Sequence, residues 1–117
     1  MRFGIMYSQG DILLIPFPYS DMSTTKQRPV LVLSNTTYNR SQSDLVVAAI
    51  TSNLINKTYS IQITTDDLDE GQLRATSAVR ADKIYTFSNQ IVIKKFGHLK
   101  TPFFSEVKQQ LMHLLNE

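Results

Sequence analysis

Short apolar runs rich in Val and Ile alternate with polar segments along most of this chain. This pattern is typical of a small all-β barrel or sandwich. Two of the runs, Val30–Leu33 and Val46–Ile50, are continuously apolar and should lie at the centre of the sheet. We therefore expect a closed or strongly curled sheet. The predicted strands are Ile12–Phe17, Val30–Leu33, Val46–Ile50, Tyr59–Ile63, Ala78–Phe87 and Ile91–Lys95.

The last part of the chain has the pattern of an amphipathic helix. Thr101 supplies an N-cap, and Pro102 suits the first helical position. We expect the apolar stripe of this helix to pack on the sheet, which makes the fold class mainly β with a C-terminal α-helix. The 117 residues fit a single domain, 1–117. The apolar positions at helical spacing are Phe103, Val107, Leu111, Leu114 and Leu115.

Composition excludes several kinds of chemistry. The chain has no cysteine, so disulfides, thiolate catalysis and cysteine-ligated zinc are ruled out. No apolar run approaches the roughly 20 residues that span a bilayer, and the N-terminus lacks the apolar region of a signal peptide. We therefore expect a cytoplasmic protein with no membrane association. A net charge of +2 and a pI near 9.0 permit an anionic partner without demanding one.

Polar segments separate the predicted strands and are the expected places for function. The acidic run Asp66–Glu70 is better explained as a solvated turn or a short helical start than as a cation site. His98 and His113 lie far in sequence from the polar strand ends, so a metal pair or a Ser-His-Asp triad is not expected. We predict neither a metal nor a cofactor. The predicted loops are Tyr19–Gln27, Thr36–Asp44, Ser52–Lys57 and Thr65–Arg74.

A lone cation, Arg28, stands where the first polar loop meets a predicted buried strand. Pro29 fixes its own φ and pushes Arg28 toward extended geometry, so the guanidinium is presented at the end of the sheet. Taken alone, Arg28 is more simply explained as a side chain whose aliphatic stem covers an apolar strand end. A functional interpretation therefore needs polar neighbours.

Two further positions beside predicted strands carry polar side chains. Thr51 follows Val46–Ile50, and its hydroxyl could donate to a phosphate oxygen, although a β-branched residue at a strand end needs no such role. Arg80 and Asp82 are two residues apart on one predicted strand, so both side chains leave the same face. They are equally consistent with an ordinary surface salt bridge.

Four blocks of sequence occur in one order along the chain: Gly10-Asp11-Ile12 with its apolar strand, Gln27-Arg28-Pro29-Val30-Leu31-Val32-Leu33-Ser34, Val47-Ala48-Ala49-Ile50-Thr51, and Arg80-Ala81-Asp82-Lys83-Ile84-Tyr85-Thr86-Phe87. Together with the closing helix, they resemble the MazF/PemK-type toxins of bacterial toxin-antitoxin systems. The loop Tyr19–Gln27 departs from the family because it contains neither glycine nor histidine, which leaves the base preference open.

The resemblance implies an SH3-like barrel that forms a homodimer and cleaves single-stranded RNA, such as mRNA, without a metal. It also implies inhibition by a cognate antitoxin whose partly disordered tail lies over the active site. Arg28 and Thr51 fall on positions used in the Gram-positive branch of the family. Arg80 and Asp82 fall on positions implicated in the plasmid-borne branch.

RNA cleavage without a metal uses the substrate's own 2′-hydroxyl as nucleophile and leaves a 2′,3′-cyclic phosphate and a 5′-hydroxyl. Arginine stays cationic at neutral pH, so Arg28 is suited to holding the scissile phosphate together with Thr51. Asp82 is then the expected base, with Arg80 nearby. The expected RNA-binding residues are Phe17, Tyr19, Lys26, Gln27, Ser52, Lys57 and Lys83.

Alternatives stay open at this point. Phe17 and Tyr19 are as consistent with core or dimer positions as with stacking on bases. A toxin of the same barrel could act without catalysis, by binding a topoisomerase or another protein. A plain SH3-like interaction module would need an aromatic groove, and the chain has no tryptophan to build one.

Overall fold

The computed structural model describes residues 6–18, 25–55 and 58–117. Its strands form one antiparallel sheet of seven, in the order β4-β6-β3-β2-β1-β7-β5, curled into a half-barrel. The predicted mainly β fold with a C-terminal helix is confirmed. The elements are β1 (Asp11–Pro18), β2 (Thr25–Val32), α1 (Thr36–Ser41), β3 (Asp44–Thr51), β4 (Ser60–Ile63), β5 (Leu68–Gly71), β6 (Ser77–Ser88), β7 (Lys94–Leu99) and α2 (Thr101–Leu115), with short 3₁₀ turns at Thr65–Asp67 and Asn89–Ile91.

Side chains on the two faces of this sheet build two separate apolar clusters. Neighbours such as Ile12 and Leu13, or Leu31 and Val30, fall in different clusters, as the alternation of a strand requires. The cluster on the helix face contains Ile12, Leu31, Ala48, Ile50, Ile63, Leu68, Val79, Leu99, Phe104 and Val107. The cluster on the far face contains Tyr7, Leu13, Ile15, Val30, Val32, Leu45 and Val47.

The terminal helix α2 covers the helix face near β4 and β6. It begins at Thr101, with Lys100 rather than Thr101 as its N-cap residue. Its buried residues are Phe104 and Val107, whereas Leu115 is 68% exposed. The predicted stripe was therefore wrong at the helix end, because only the first turns reach the sheet. Within the described residues, no helix is both long and apolar enough to span a membrane.

The structure corrects three of the predicted loops. β2 begins at Thr25, because Thr25 pairs with Pro18 of β1, so Lys26 and Gln27 lie on a strand and not in a loop. The predicted loop Thr36–Asp44 contains α1, which Asn35 caps by accepting from the Tyr38 amide at 2.8 Å. The predicted loop Thr65–Arg74 contains β5.

The last predicted strand, Ile91–Lys95, was also misplaced. Ile91 closes a 3₁₀ turn that Ser88 caps, and with Val92 it packs on the far-face cluster without joining a ladder. The strand that pairs with β1 and β5 is β7, Lys94–Leu99. The sequence does not reveal this strand, because it begins with two lysines and so lacks an apolar pattern.

Candidate active site

Arg28 lies on the far face of the sheet, beside a buried apolar cluster. It is directly opposite Ile15 of β1, a member of the far-face cluster, and residues directly opposite each other in an antiparallel pair share a face. The β2–β3 ladder pairs Val30 with Ala49. That pair ends the ladder, and Arg28 and Thr51 each lie two residues beyond it on their strands. Arg28 and Thr51 therefore project from the same face of the sheet.

Arg80 joins the same face one row further along. Arg80 pairs with Ala49 of β3, and Ala49 pairs with Val30 of the far-face cluster. On the same β3–β6 ladder, Thr51 pairs with Ala78, which is two residues before Arg80. Arg80 is therefore the diagonal neighbour of Thr51 across the β3–β6 ladder. Three of the predicted catalytic side chains thus project from one face within two adjacent rows.

Asp82 is held by Arg80 in a two-pronged ion pair. Arg80 Nε donates to Oδ1 at 2.9 Å and Nη2 donates to Oδ2 at 2.8 Å. These hydrogen bonds hold the pKa of the Asp82 carboxyl below its ordinary value and raise the pKa of the Arg80 guanidinium. The salt bridge considered from the sequence is therefore present, and it fixes the guanidinium in one orientation.

Thr51 has a hydroxyl that is partly engaged. Its Oγ1 accepts from the backbone N–H of Asn53 at 3.0 Å, within the turn that ends β3. A hydroxyl has one proton and two lone pairs, so this contact orients the oxygen and leaves the O–H proton able to donate. A phosphate oxygen is an acceptor of the kind this proton suits.

A groove of about 700 Å³ opens beside β2, past the end of β3. Among the described residues, its lining brings together the predicted Lys26, Gln27, Arg28 and Ser52. It also includes residues that sequence reasoning missed, chief among them Gln72, Arg74, Lys94 and Phe96. Because the lining carries four cationic side chains, Lys26, Arg28, Arg74 and Lys94, we call it the cationic groove. Thr51, Arg80 and Asp82 are not part of its lining.

The other predicted RNA-binding residues are not gathered in this groove. Lys83 is exposed on β6 and does not line it. The backbone of Phe17 pairs with that of Lys26 in the β1–β2 ladder. Tyr19 and Lys57 lie outside the described residues.

His98 takes part in a charged network away from the predicted site. Its Nδ1 lies 3.0 Å from Asp69 Oδ1, and its Nε2 lies 3.2 Å from the Gln9 carbonyl oxygen. Nearby, buried Asp11 contacts Lys95 Nζ at 3.3 Å. In the part of the chain that the structure describes, no group of three His, Asp or Glu side chains is arranged to hold a metal ion. This network ties β1, β5 and β7 together.

The chain is similar in sequence to one family of toxins and in fold to several solved structures. A sequence profile of the PemK-like, MazF-like toxins of type II toxin-antitoxin systems matches residues 8–115. No curated protein sequence matches the chain significantly. One similar solved structure is a mycobacterial endoribonuclease in complex with its cognate antitoxin, with 19% identity and a TM-score of 0.77, covering 93% of this chain and 94% of that one. A second is a MazE-MazF complex from Deinococcus radiodurans, with 19% identity and a TM-score of 0.78, covering 95% of this chain and 97% of that one. A third is MazF from the same organism, with 19% identity and a TM-score of 0.76, covering 96% of this chain and 98% of that one. At such identities these structures show a common fold.

Proposed function

Because the chain belongs to the PemK-like, MazF-like toxin family of type II toxin-antitoxin systems, we propose that it is a sequence-selective endoribonuclease that cleaves single-stranded RNA. The reaction is attack by the substrate's 2′-hydroxyl, without a metal, to give a 2′,3′-cyclic phosphate and a 5′-hydroxyl. The observation that supports this most directly is the placement of Arg28, Thr51 and Arg80 on one face in adjacent rows.

Arg28 and Thr51 hold the scissile phosphate in this proposal. A guanidinium presents several N–H donors in a fixed plane, which suits the oxygens of a phosphate whose charge grows in the transition state. The Thr51 hydroxyl adds a neutral donor from the neighbouring strand. Single-stranded RNA fits because in-line attack needs a backbone that can rotate and bases that can be splayed apart.

The Arg80–Asp82 ion pair supplies a second oriented cation. Asp82 fixes the Arg80 guanidinium, so that this cation needs little reorganisation when charge develops on the phosphate. The role of general base for Asp82 remains a prediction. The ion pair weighs against it, because a carboxylate whose pKa is lowered is a weaker proton acceptor.

The partners follow from the same proposal. The chain acts in the cytoplasm as a homodimer and is neutralised by a cognate antitoxin protein. In support, two of the similar structures contain an antitoxin, and exposed apolar side chains such as Ile55, 88% exposed, suit a protein interface. A monomer in sedimentation at micromolar concentration would contradict the homodimer.

Cleavage by substituted proteins tests the roles of Arg28 and Thr51. Arg28→Ala and Thr51→Val each remove one proposed contact, and Val keeps the β-branched shape of Thr51. We expect single-turnover cleavage to slow by about 10² to 10³ for each. Arg40→Ala and Thr37→Val, on exposed positions of α1, are matched controls and should cleave at the normal rate.

The proposal fails if folded Arg28→Ala and Thr51→Val proteins both cleave at near wild-type rates. Circular dichroism and thermal unfolding establish that each variant is folded. Toxicity that persists in both variants without any RNA cleavage would instead favour a toxin that acts by binding another protein.

A further inference from the structure

Besides Arg28, the cationic groove carries positive charge that the proposed chemistry does not use. Its described lining contains four cations, Lys26, Arg28, Arg74 and Lys94, and no carboxylate. For a chain of net charge +2, this concentrates positive charge at one place. Such a lining raises the local concentration of an anionic ligand and disfavours a cationic one.

Arg74 and Lys94 extend this charge away from Arg28. Arg74 lies between β5 and β6, and Lys94 is the first residue of β7, opposite Leu14 of β1. Both side chains are exposed, and neither forms an ion pair with another described residue. They reach the groove from two separate elements.

Other cations of the sheet, unlike Arg74 and Lys94, form ion pairs with carboxylates of the described residues. Arg80 is paired with Asp82, and Lys95 lies 3.3 Å from both Asp11 and Glu70. Burial lowers the pKa of Lys95, but its hydrogen bonds to Asp11 and Glu70 outweigh this and leave the pKa raised. Lys94 sits next to Lys95 in sequence and lacks such partners among the described residues. Arg74 and Lys94 therefore add charge to the groove that no carboxylate of the described residues neutralises.

The rest of the lining suits a nucleic-acid strand better than a simple anion. Phe96 is half-buried and offers an aromatic surface, and Leu14 and Pro29 add apolar surface. Gln27 and Gln72 bring amide groups that can both donate and accept. A cationic groove combined with an aromatic side chain is the usual arrangement for binding single-stranded nucleic acid.

We propose that Arg74 and Lys94 bind backbone phosphates of the RNA strand that flanks the scissile phosphate held by Arg28. This inference rests on the proposed function and extends it to the path of the substrate. Arg74 and Lys94 are positioning residues, since they contact phosphates that do not react. Their contribution is the same in the ground state and the transition state, so it raises affinity and leaves the chemical step unchanged.

Binding and cleavage by Arg74→Gln, Lys94→Gln and the double variant test this path. The probe is an RNA fragment containing a mapped cleavage site, made uncleavable by a 2′-deoxy sugar at that site. We expect the slope of log affinity against log salt to fall by roughly 0.7 per substitution, and affinity at 0.1 M salt to fall about fivefold for each. With cleavable RNA, KM should rise by the same factors while kcat stays constant.

Arg40→Gln on α1 and Lys108→Gln on α2 remove the same charge from exposed positions that do not line the groove. They should leave the salt slope and KM at wild-type values. The RNA path is wrong if the double variant has the salt slope and KM of the wild type, or if the two controls change these values as much as the double variant does. This conclusion holds even if the double variant binds an acidic protein partner more weakly. Cleavage by the wild-type protein in that experiment would leave the proposed function standing. A wild-type protein that neither cleaves nor binds RNA would overturn both.

Discussion

Replacing Asp82 with asparagine separates two roles that the ion pair allows. Asparagine keeps one acceptor oxygen for Arg80 and puts an amide donor where the second carboxylate oxygen stood, so one of two charge-assisted hydrogen bonds is lost. If Asp82 only orients Arg80, the guanidinium loses rigidity but stays in place. If Asp82 is the base, the reaction loses its proton acceptor.

The loss of stability should be modest. Hydrogen bonds to charged groups are worth about 1.5 to 3 kcal/mol, whereas exposed ion pairs contribute about 0 to 1. The side chains of Arg80 and Asp82 are 15% and 25% exposed, which places this pair between those limits. We expect Asp82→Asn to lower the free energy of unfolding by about 1 kcal/mol and the Tm by about 4 °C.

This stability difference should depend on pH in a defined direction. The pKa of Asp82 is lowered in the folded protein, chiefly by its hydrogen bonds with Arg80. Its stabilising contribution is therefore complete above its ordinary pKa of about 4 and is lost as the pH falls through the lower folded value. Unfolding measured from pH 7 downward should show the wild-type and Asp82→Asn curves converging in acid.

The rate of single-turnover cleavage as a function of pH gives the decisive reading. An orienting role predicts a loss of about tenfold, equivalent to about 1.4 kcal/mol, with the acidic limb of the profile unchanged. Glu106→Gln, an exposed position on α2, removes the same charge and should have no effect. A loss of 10² or more together with disappearance of the acidic limb would show that Asp82 is the base. No loss at all would refute the orienting role.

Two further substitutions test how the sheet positions the site. Gly71 has φ +86°, and a Cβ there would clash with the Phe96 carbonyl oxygen and the Gly97 Cα. Gly71→Ala should therefore lower the free energy of unfolding by about 3 kcal/mol, measured by denaturant unfolding. An unchanged denaturation midpoint would contradict this. Asp11→Asn removes the buried charge beside Lys95 but can keep the 2.8 Å bond from the Ser8 amide. Since Lys95 is one-third exposed, we expect a loss of about 1 to 2 kcal/mol, and a stability gain would show that the pair is not favourable.

The central strands could be predicted from the sequence because they are buried on both faces. Val30–Leu33 and Val46–Ile50 are continuous apolar runs, and both coincide with strands of the central sheet. By contrast, β7 begins with two lysines, and its place depends on pairing with β1 and β5. Polar strands of this kind leave no apolar pattern to detect.

The site could be predicted only in part for a related reason. Arg28 is marked by the proline that follows it, and Thr51 by the apolar run that it ends. The register of β2 against β3 puts Arg28 and Thr51 on the same face. Arg80 shares that face because the β3–β6 register shifts between Ala48 and Ala49. Neither feature is visible in the residues themselves. Arg74 and Lys94 were missed because only the folded sheet brings their two segments to one groove.

The chemistry of the RNA ends tests the central claim most directly. Purified protein is incubated with a long messenger RNA in the presence of EDTA, and the products are sequenced with and without treatments that open a cyclic phosphate or phosphorylate a free 5′-hydroxyl. The account predicts cleavage at a recurring short sequence, with 2′,3′-cyclic phosphate and 5′-hydroxyl ends. Intact RNA, or cuts that leave 5′-phosphate ends and require a divalent metal, would contradict it.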